Sequence, residues 1–137
     1  MNMRCNLSIV GGILLGLATA MLVTGCSGSD GPERYSLEGS VTYGGKPVPG
    51  GQIAFEPDGT KGNRGPASYA TIRDGAFATD KGKGTVGGPH IVRILGTDGK
   101  PNAESPQGNM LFSSYETTAD LPKEDATQDF DIPASHR

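Results

Sequence analysis

Tyr35-Ser36-Leu37-Glu38-Gly39-Ser40-Val41-Thr42-Tyr43, followed by Gly44-Gly45, is the stretch that decides the fold. Tyr35, Leu37, Val41 and Tyr43 fall on one side of an extended chain with Gly39 among them, and Ser36, Glu38, Ser40 and Thr42 fall on the other. A helix would scatter those apolar residues around its axis, whereas a period of two collects them on one face of a half-buried strand. Gly44-Gly45 offers the positive backbone angles of a tight turn. Lys46-Pro47-Val48-Pro49-Gly50-Gly51 extends it into a second turn with proline-fixed geometry.

The same period recurs downstream. Residues 52–56 read as a strand with Ile53 and Phe55 inward, ended by Pro57-Asp58-Gly59, and residues 60–66 as an exposed loop carrying Lys61 and Arg64. Residues 68–73 place Ala70 and Ile72 inward, and Asp74-Gly75 turns the chain into residues 76–79 with Phe77 inward, which predicts a hairpin. The glycine-rich residues 81–88 show no regular period. In residues 89–95, His90, Val92 and Ile94 share one face and Ile91, Arg93 and Leu95 the other, so apolar groups lie on both sides, as in a central strand. A polar loop follows over 96–108, then an anchoring cluster of residues 110–112 with Tyr115, and a short strand over 117–121. Residues 128–132 close the domain with Phe130 and either Gln128 or Ile132 inward. Nothing after residue 26 sustains a helical period, so the expected class is all-β.

Upstream of the first strand the chain has a different character. Residues 1–6 carry one cation, Arg4, residues 7–23 are apolar apart from Ser8, Thr19 and glycines, and Leu22-Val23-Thr24-Gly25-Cys26 ends the run. This charged, apolar, small-residue order is that of a secretory signal, and its last five residues resemble the lipobox of bacterial lipoproteins. The resemblance implies cleavage between Gly25 and Cys26, diacylglycerol on the Cys26 sulfur and an N-acyl chain such as palmitate. An uncleaved membrane helix is the alternative. The run of roughly 17 residues is at the lower limit for spanning, and Gly11, Gly12 and Gly16 interrupt it. Either way the downstream part is expected outside the cytoplasm, and two or more acyl chains give the stable anchoring that one does not. Ser27, by analogy with lipoprotein sorting, points to the outer membrane rather than the inner, with the domain facing the periplasm or the surface. The expected organisation is a leader over 1–25, the lipidated cysteine and a small polar tether over 26–34, and one folded domain over 35–137.

Removing the leader leaves ~112 of the 137 residues, enough for one modest core. The formal charge of −3 becomes one unit more negative when Arg4 leaves, and no cluster of cations suggests a nucleic-acid partner. Of the two cysteines, Cys5 lies in the leader and Cys26 is expected to be blocked by lipid, which leaves no thiol for a disulfide, a metal or catalysis. The 22 glycines and 10 prolines sit between alternating segments and read as turns.

Gly39-Ser-Val41-Thr-Tyr43-Gly44-Gly45-Lys46-Pro47-Val48-Pro49-Gly50-Gly51-Gln-Ile53-Ala-Phe55 resembles the opening of the carboxypeptidase-regulatory-like domain, a transthyretin-like fold. Ile72-Arg-Asp74-Gly75-Ala-Phe77 is similar to that family's strand-turn-aromatic step, and Gly88-Pro-His90-Ile-Val92-Arg-Ile94 to its Gly-x-Tyr-x-Val-x-Ile strand. His90 stands where an aromatic usually packs, and the approach over 81–88 exceeds a minimal turn. The resemblance implies a seven-stranded antiparallel β-sandwich with a folding, spacing or interaction role, and supplies no catalytic residues.

Each chemical motif has a plainer account. Gly82-Lys-Gly84-Thr-Val-Gly87 has dinucleotide-binding spacing, but a β-type run follows where a phosphate site needs a helix, so no cofactor is expected. His90 and His136 are out of metal-ligand spacing, His90 reading as a half-buried strand residue and His136 as a frayed terminal one. Asp58-Gly59, Asp74-Gly75 and Asp98-Gly99 lack the acid series of a calcium loop and read as turns. No Gly-x-Ser-x-Gly elbow is present. The hydroxyisourate hydrolase shares the transthyretin scaffold but ends in Tyr-Arg-Gly-Ser, where this chain ends Pro133-Ala-Ser-His136-Arg137. Tyr69 and Tyr115 are the aromatics least committed to a core, and so the candidates for a binding surface. The expected function is a non-enzymatic, lipid-anchored envelope module with a structural or protein-binding role. A glycan-binding accessory domain is the alternative.

Overall fold

The computed structural model describes residues 31–136. The leader, Gly25, Cys26 and the first part of the tether lie outside the described residues. Nine strands make one all-β architecture: β1 (Leu37–Tyr43), β2 (Lys46–Pro47), β3 (Gly50–Pro57), β4 (Ser68–Arg73), β5 (Ala76–Ala78), β6 (Gly88–Thr97), β7 (Tyr115–Leu121), β8 (Ala126–Thr127) and β9 (Phe130–Ile132). Among the described residues the sole helical turn is a 3-10 turn over Gly59–Lys61, and no helix is long and apolar enough to cross a membrane.

The strands follow the order β2-β1-β5-β4-β3-β6-β7, with β8 and β9 both on β1. The sheet curls into a half-barrel with two arms, β4-β3-β6-β7 and β5-β1 with its partners. A single register pair, Arg73↔Ala76, joins the arms. Pairing is antiparallel everywhere except at the C-terminal segment, where β8 and β9 run parallel to β1. The expected antiparallel sheet thus holds apart from this segment, where β7 and the 122–125 crossover return the chain to the end of the half-barrel at which β1 begins.

Side-chain carboxylates hold that parallel segment. Asp125 accepts from the Ser36 amide at 2.7 Å, Asp129 from the Ser40 amide and hydroxyl at 2.8 Å each, and Asp131 from the Thr42 hydroxyl at 2.6 Å. The outward polar residues of β1, which read as a solvated face in the sequence, thus fix the register of the last strands. Gly39 is required where the segments meet, since a Cβ there would lie 1.9 Å from the Gln128 carbonyl oxygen.

The concave face encloses the core. Ile53, Phe55, Ala70, Ile72, Phe77, Val92 and Ile94 point inward as their alternation dictates, and of the last segment Phe130 and Ile132 do so rather than Gln128. Phe55, Phe77 and Phe130 form a mutual cluster with ring centroids 5.7–6.1 Å apart. Val48, read as part of a turn, is fully buried, because its amide pairs with the Val41 carbonyl and draws the side chain under the sheet. The expected anchoring cluster is corrected: Phe112 is buried, while Met110 is 62% and Leu111 36% exposed. The outer side of β6 is only partly covered, with Leu95 40% exposed, so this strand is central in pairing but not buried on both faces. Arg34, the last residue of the expected tether, is bonded to the folded part. The Arg34 guanidinium donates to the carbonyls of Gly84 (2.7 Å) and Ala67 (3.0 Å) and to the Ser68 hydroxyl (3.0 Å).

Candidate functional site

One opening in the described molecule follows from the geometry of a single turn. Asp74 and Gly75 both have positive φ, 50° and 78°, the mirror-image turn that suits a two-residue hairpin. Such a turn closes on a hydrogen-bonded pair, here Arg73↔Ala76. The antiparallel alternation then aims the backbone N–H and C=O of Thr71 and Tyr69 away from β3 and toward β5. Continued register would pair them with Ala78 and Asp80, but the hairpin splays after its first pair and β5 turns to β1, matching Glu38↔Ala78 and Gly39↔Phe77.

The result is a cleft of about 670 Å³ along the seam between the two arms, within the range of ligand sites. One wall is the unpaired edge of β4 with Tyr69, Thr71 and Arg73, and the other holds Glu38, Ala78 and Asp80. Ala70 and Phe77, which belong to the core, form its floor. Tyr69 is 55% exposed. Neither Glu38 nor Arg73 has a side-chain partner among the described residues, whereas Asp80 stands 3.9 Å from the Lys83 ammonium in an exposed pair.

A second seam, of about 320 Å³, separates β7 from β9. It is lined by Thr117, Thr118, Asp120, Asp129 and Asp131 among others, and two of its carboxylates are already engaged by Ser40 and Thr42. The Ser40 amide and then its hydroxyl hold the Asp129 carboxyl below the usual carboxylate range.

Tyr69 and Tyr115, paired in the sequence reading, do not share a surface. Tyr69 faces outward opposite Ala54, while Tyr115 faces inward opposite Ile94, with β3 and β6 between their strands. The Tyr115 ring meets His136 edge-on at 5.1 Å. That contact corrects the reading of His136 as frayed: it also packs on Phe112 at 6.2 Å, and its Nε2 lies 3.2 Å from the Ser113 carbonyl oxygen and 3.4 Å from the Ser113 hydroxyl. A nitrogen that donates to a carbonyl is not free to act as a base on the neighbouring hydroxyl.

His90 is 1% exposed, more deeply buried than expected. Its Nδ1 donates to the Gly88 carbonyl at 2.8 Å, which leaves the Nε2 lone pair buried without a partner. None of the clefts described above includes it. The three Asp-Gly pairs make turns. Asp58 caps the 3-10 turn through the Thr60 hydroxyl and amide, which lower its pKa. Asp74 occupies the hairpin, and Asp98 gathers the long loop by accepting from the amides of Lys100 and Asn109 at 3.0 Å each, which lowers its pKa too. Among the described residues no three His, Cys, Asp or Glu side chains converge as metal ligands do. Residues 82–87 lead into β6 rather than into a helix.

The fold and its seams define an all-β chain with an open strand edge. No family model, no curated protein and no solved structure matches it.

Proposed function

We propose that this chain is a lipid-anchored, non-enzymatic module of a bacterial cell envelope that binds a protein partner. In this reading its two arms are the leaves of a transthyretin-like β-sandwich of the carboxypeptidase-regulatory-like kind. The observation that carries the binding role is the unpaired edge of β4, because an exposed row of backbone donors and acceptors is a template for another chain unless it is covered. The lipobox ending at Cys26 supports the anchor, and Ser27 favours the outer membrane. The state of both histidines favours binding over catalysis. His90 is sealed in the core, and His136 is occupied by the Ser113 carbonyl and two aromatic rings. The sandwich reading draws on the order of turns and strands from Gly39 to Ile94 and on the separation of the arms everywhere but at Arg73↔Ala76.

A photo-crosslinking residue in place of Tyr69, in intact cells, tests the role. Capture of the same envelope protein from Tyr69 but not from the exposed Thr118 on β7, with β3 and β6 between, supports it, and equal capture from both positions defeats it. Glycan binding is the second reading, favoured by the exposed Tyr69 ring beside the polar Gln52 and Thr71 side chains. Retention on cell-wall polysaccharide that is lost in Tyr69→Ala would establish it in place of the first.

A further inference from the structure

We infer that the seam between β4 and β5 takes an extended peptide, which joins the sheet as an additional strand along Tyr69 and Thr71. The inference rests on the protein-binding reading and specifies its site and ligand. Three observations carry it. The first is the register: the hairpin is closed at Arg73↔Ala76 and open beyond, so the Tyr69 and Thr71 backbone groups have no strand partner on that side. The second is the floor. Ala70 and Phe77 lie beneath the gap, so every second residue of an inserted strand meets apolar surface while the others face solvent. The third is charge. Asp80 stands at the end of the seam near the start of β4, Glu38 stands across from Ala78, and Arg73 stands at the turn end, which favours a cation opposite Tyr69 and an anion toward Arg73.

Antiparallel addition fixes the ligand pattern: an acidic residue opposite Thr71, a small β-branched residue over Ala70, a basic residue opposite Tyr69, then a second apolar residue. The β7/β9 seam lacks this combination, since it is smaller and its charges are acidic. Negative side chains along a strand edge discourage pairing.

The test uses the purified, isotopically labelled full chain in detergent and the capped pentapeptide Asp-Val-Lys-Val-Thr. Addition of a strand is expected to slow amide exchange at Tyr69 and Thr71 by about tenfold, as new backbone hydrogen bonds protect those groups. The same peptide methylated on its Asp and Lys backbone nitrogens, the two that face β4, is expected to lose binding. A Thr71→Pro variant is expected to lose binding while the Ile53 amide, on the β3 side, stays protected. Should that variant not fold, the methylated peptide decides alone. Unchanged exchange at Tyr69 and Thr71, equal binding of the methylated peptide, or protection appearing at Thr117 and Ala119 instead would overturn the inference. Because the titration needs no membrane, its failure leaves the anchor untouched, and failure of the anchor leaves the titration standing.

Discussion

His90 carries a buried ring with one nitrogen bonded to the Gly88 carbonyl and the other without a partner. Its place in the alternation with Val92 and Ile94 put it inward, and the structure seals it there with Nδ1 on Gly88 and Nε2 bare. An unpartnered buried acceptor costs about 1–3 kcal/mol, comparable with the hydrogen bond that Nδ1 makes. Replacement by Phe therefore trades one for the other and is expected to change stability by less than about 1 kcal/mol in urea melts, whereas His90→Ala should lose about 3 kcal/mol by leaving a cavity. A loss from Phe as large as that from Ala would mean that the ring nitrogen is used. The strand face was legible because burial follows the period of two. The bare nitrogen was not, because hydrogen-bond partners are set by neighbours remote in sequence.

Carboxylates are the other residues whose role depends on the fold. Asp58, Asp98 and Asp129 each have a pKa lowered by hydrogen bonds from Thr60, from Lys100 and Asn109, and from Ser40 respectively. A carboxyl depressed in the folded state contributes stability above its unfolded value of about 3.9, and that contribution is lost as pH falls through the folded value. The melting temperature should thus fall as the solution is acidified below about pH 4. Asp129→Asn should flatten that fall, because it keeps an acceptor for Ser40 but has no proton to take up. An unchanged acid profile would remove Asp129 from the account.

At the level of elements, the Asp-Gly and Gly-Gly turns and most strand cores could be read directly, since two-residue hairpins demand positive φ and buried faces demand alternation. Four things could not. Val48 looked like turn, Met110 and Leu111 looked like core, and the splay of the β4/β5 hairpin left no trace at all, because it depends on where β1 pulls β5. The parallel placement of β8 and β9 was equally hidden, though Gly39 marks it once known. Gly39→Ala would drive a methyl against the Gln128 carbonyl and is expected to cost about 3 kcal/mol. Its signature should be loss of amide protection in β9 ahead of β3 and β4. Uniform loss across the sheet would show that the close approach is not what the glycine serves.

For the whole molecule, the proposed anchoring and the proposed binding are separable, one resting on Cys26 and the other on a seam in the folded part. Cys26→Ser is expected to move the chain from the membrane fraction to the soluble fraction without altering its melting temperature. Retention of the variant in membranes would defeat lipid anchoring and leave the seam as it is. The sequence carries the proposed anchor because a signal and a lipobox would be local patterns. It was uninformative about the ligand because the seam is assembled from β1, β4 and β5 and contains no motif.

The bonds from Ser36, Ser40 and Thr42 to Asp125, Asp129 and Asp131 each span 89 positions of the chain. Contacts that distant must overcome a large loop-closure entropy, so they form late. The polar side of the first strand is accordingly satisfied only by residues far downstream of it. A sheet sealed by its most remote partners keeps its opening strand pliable until assembly is nearly over.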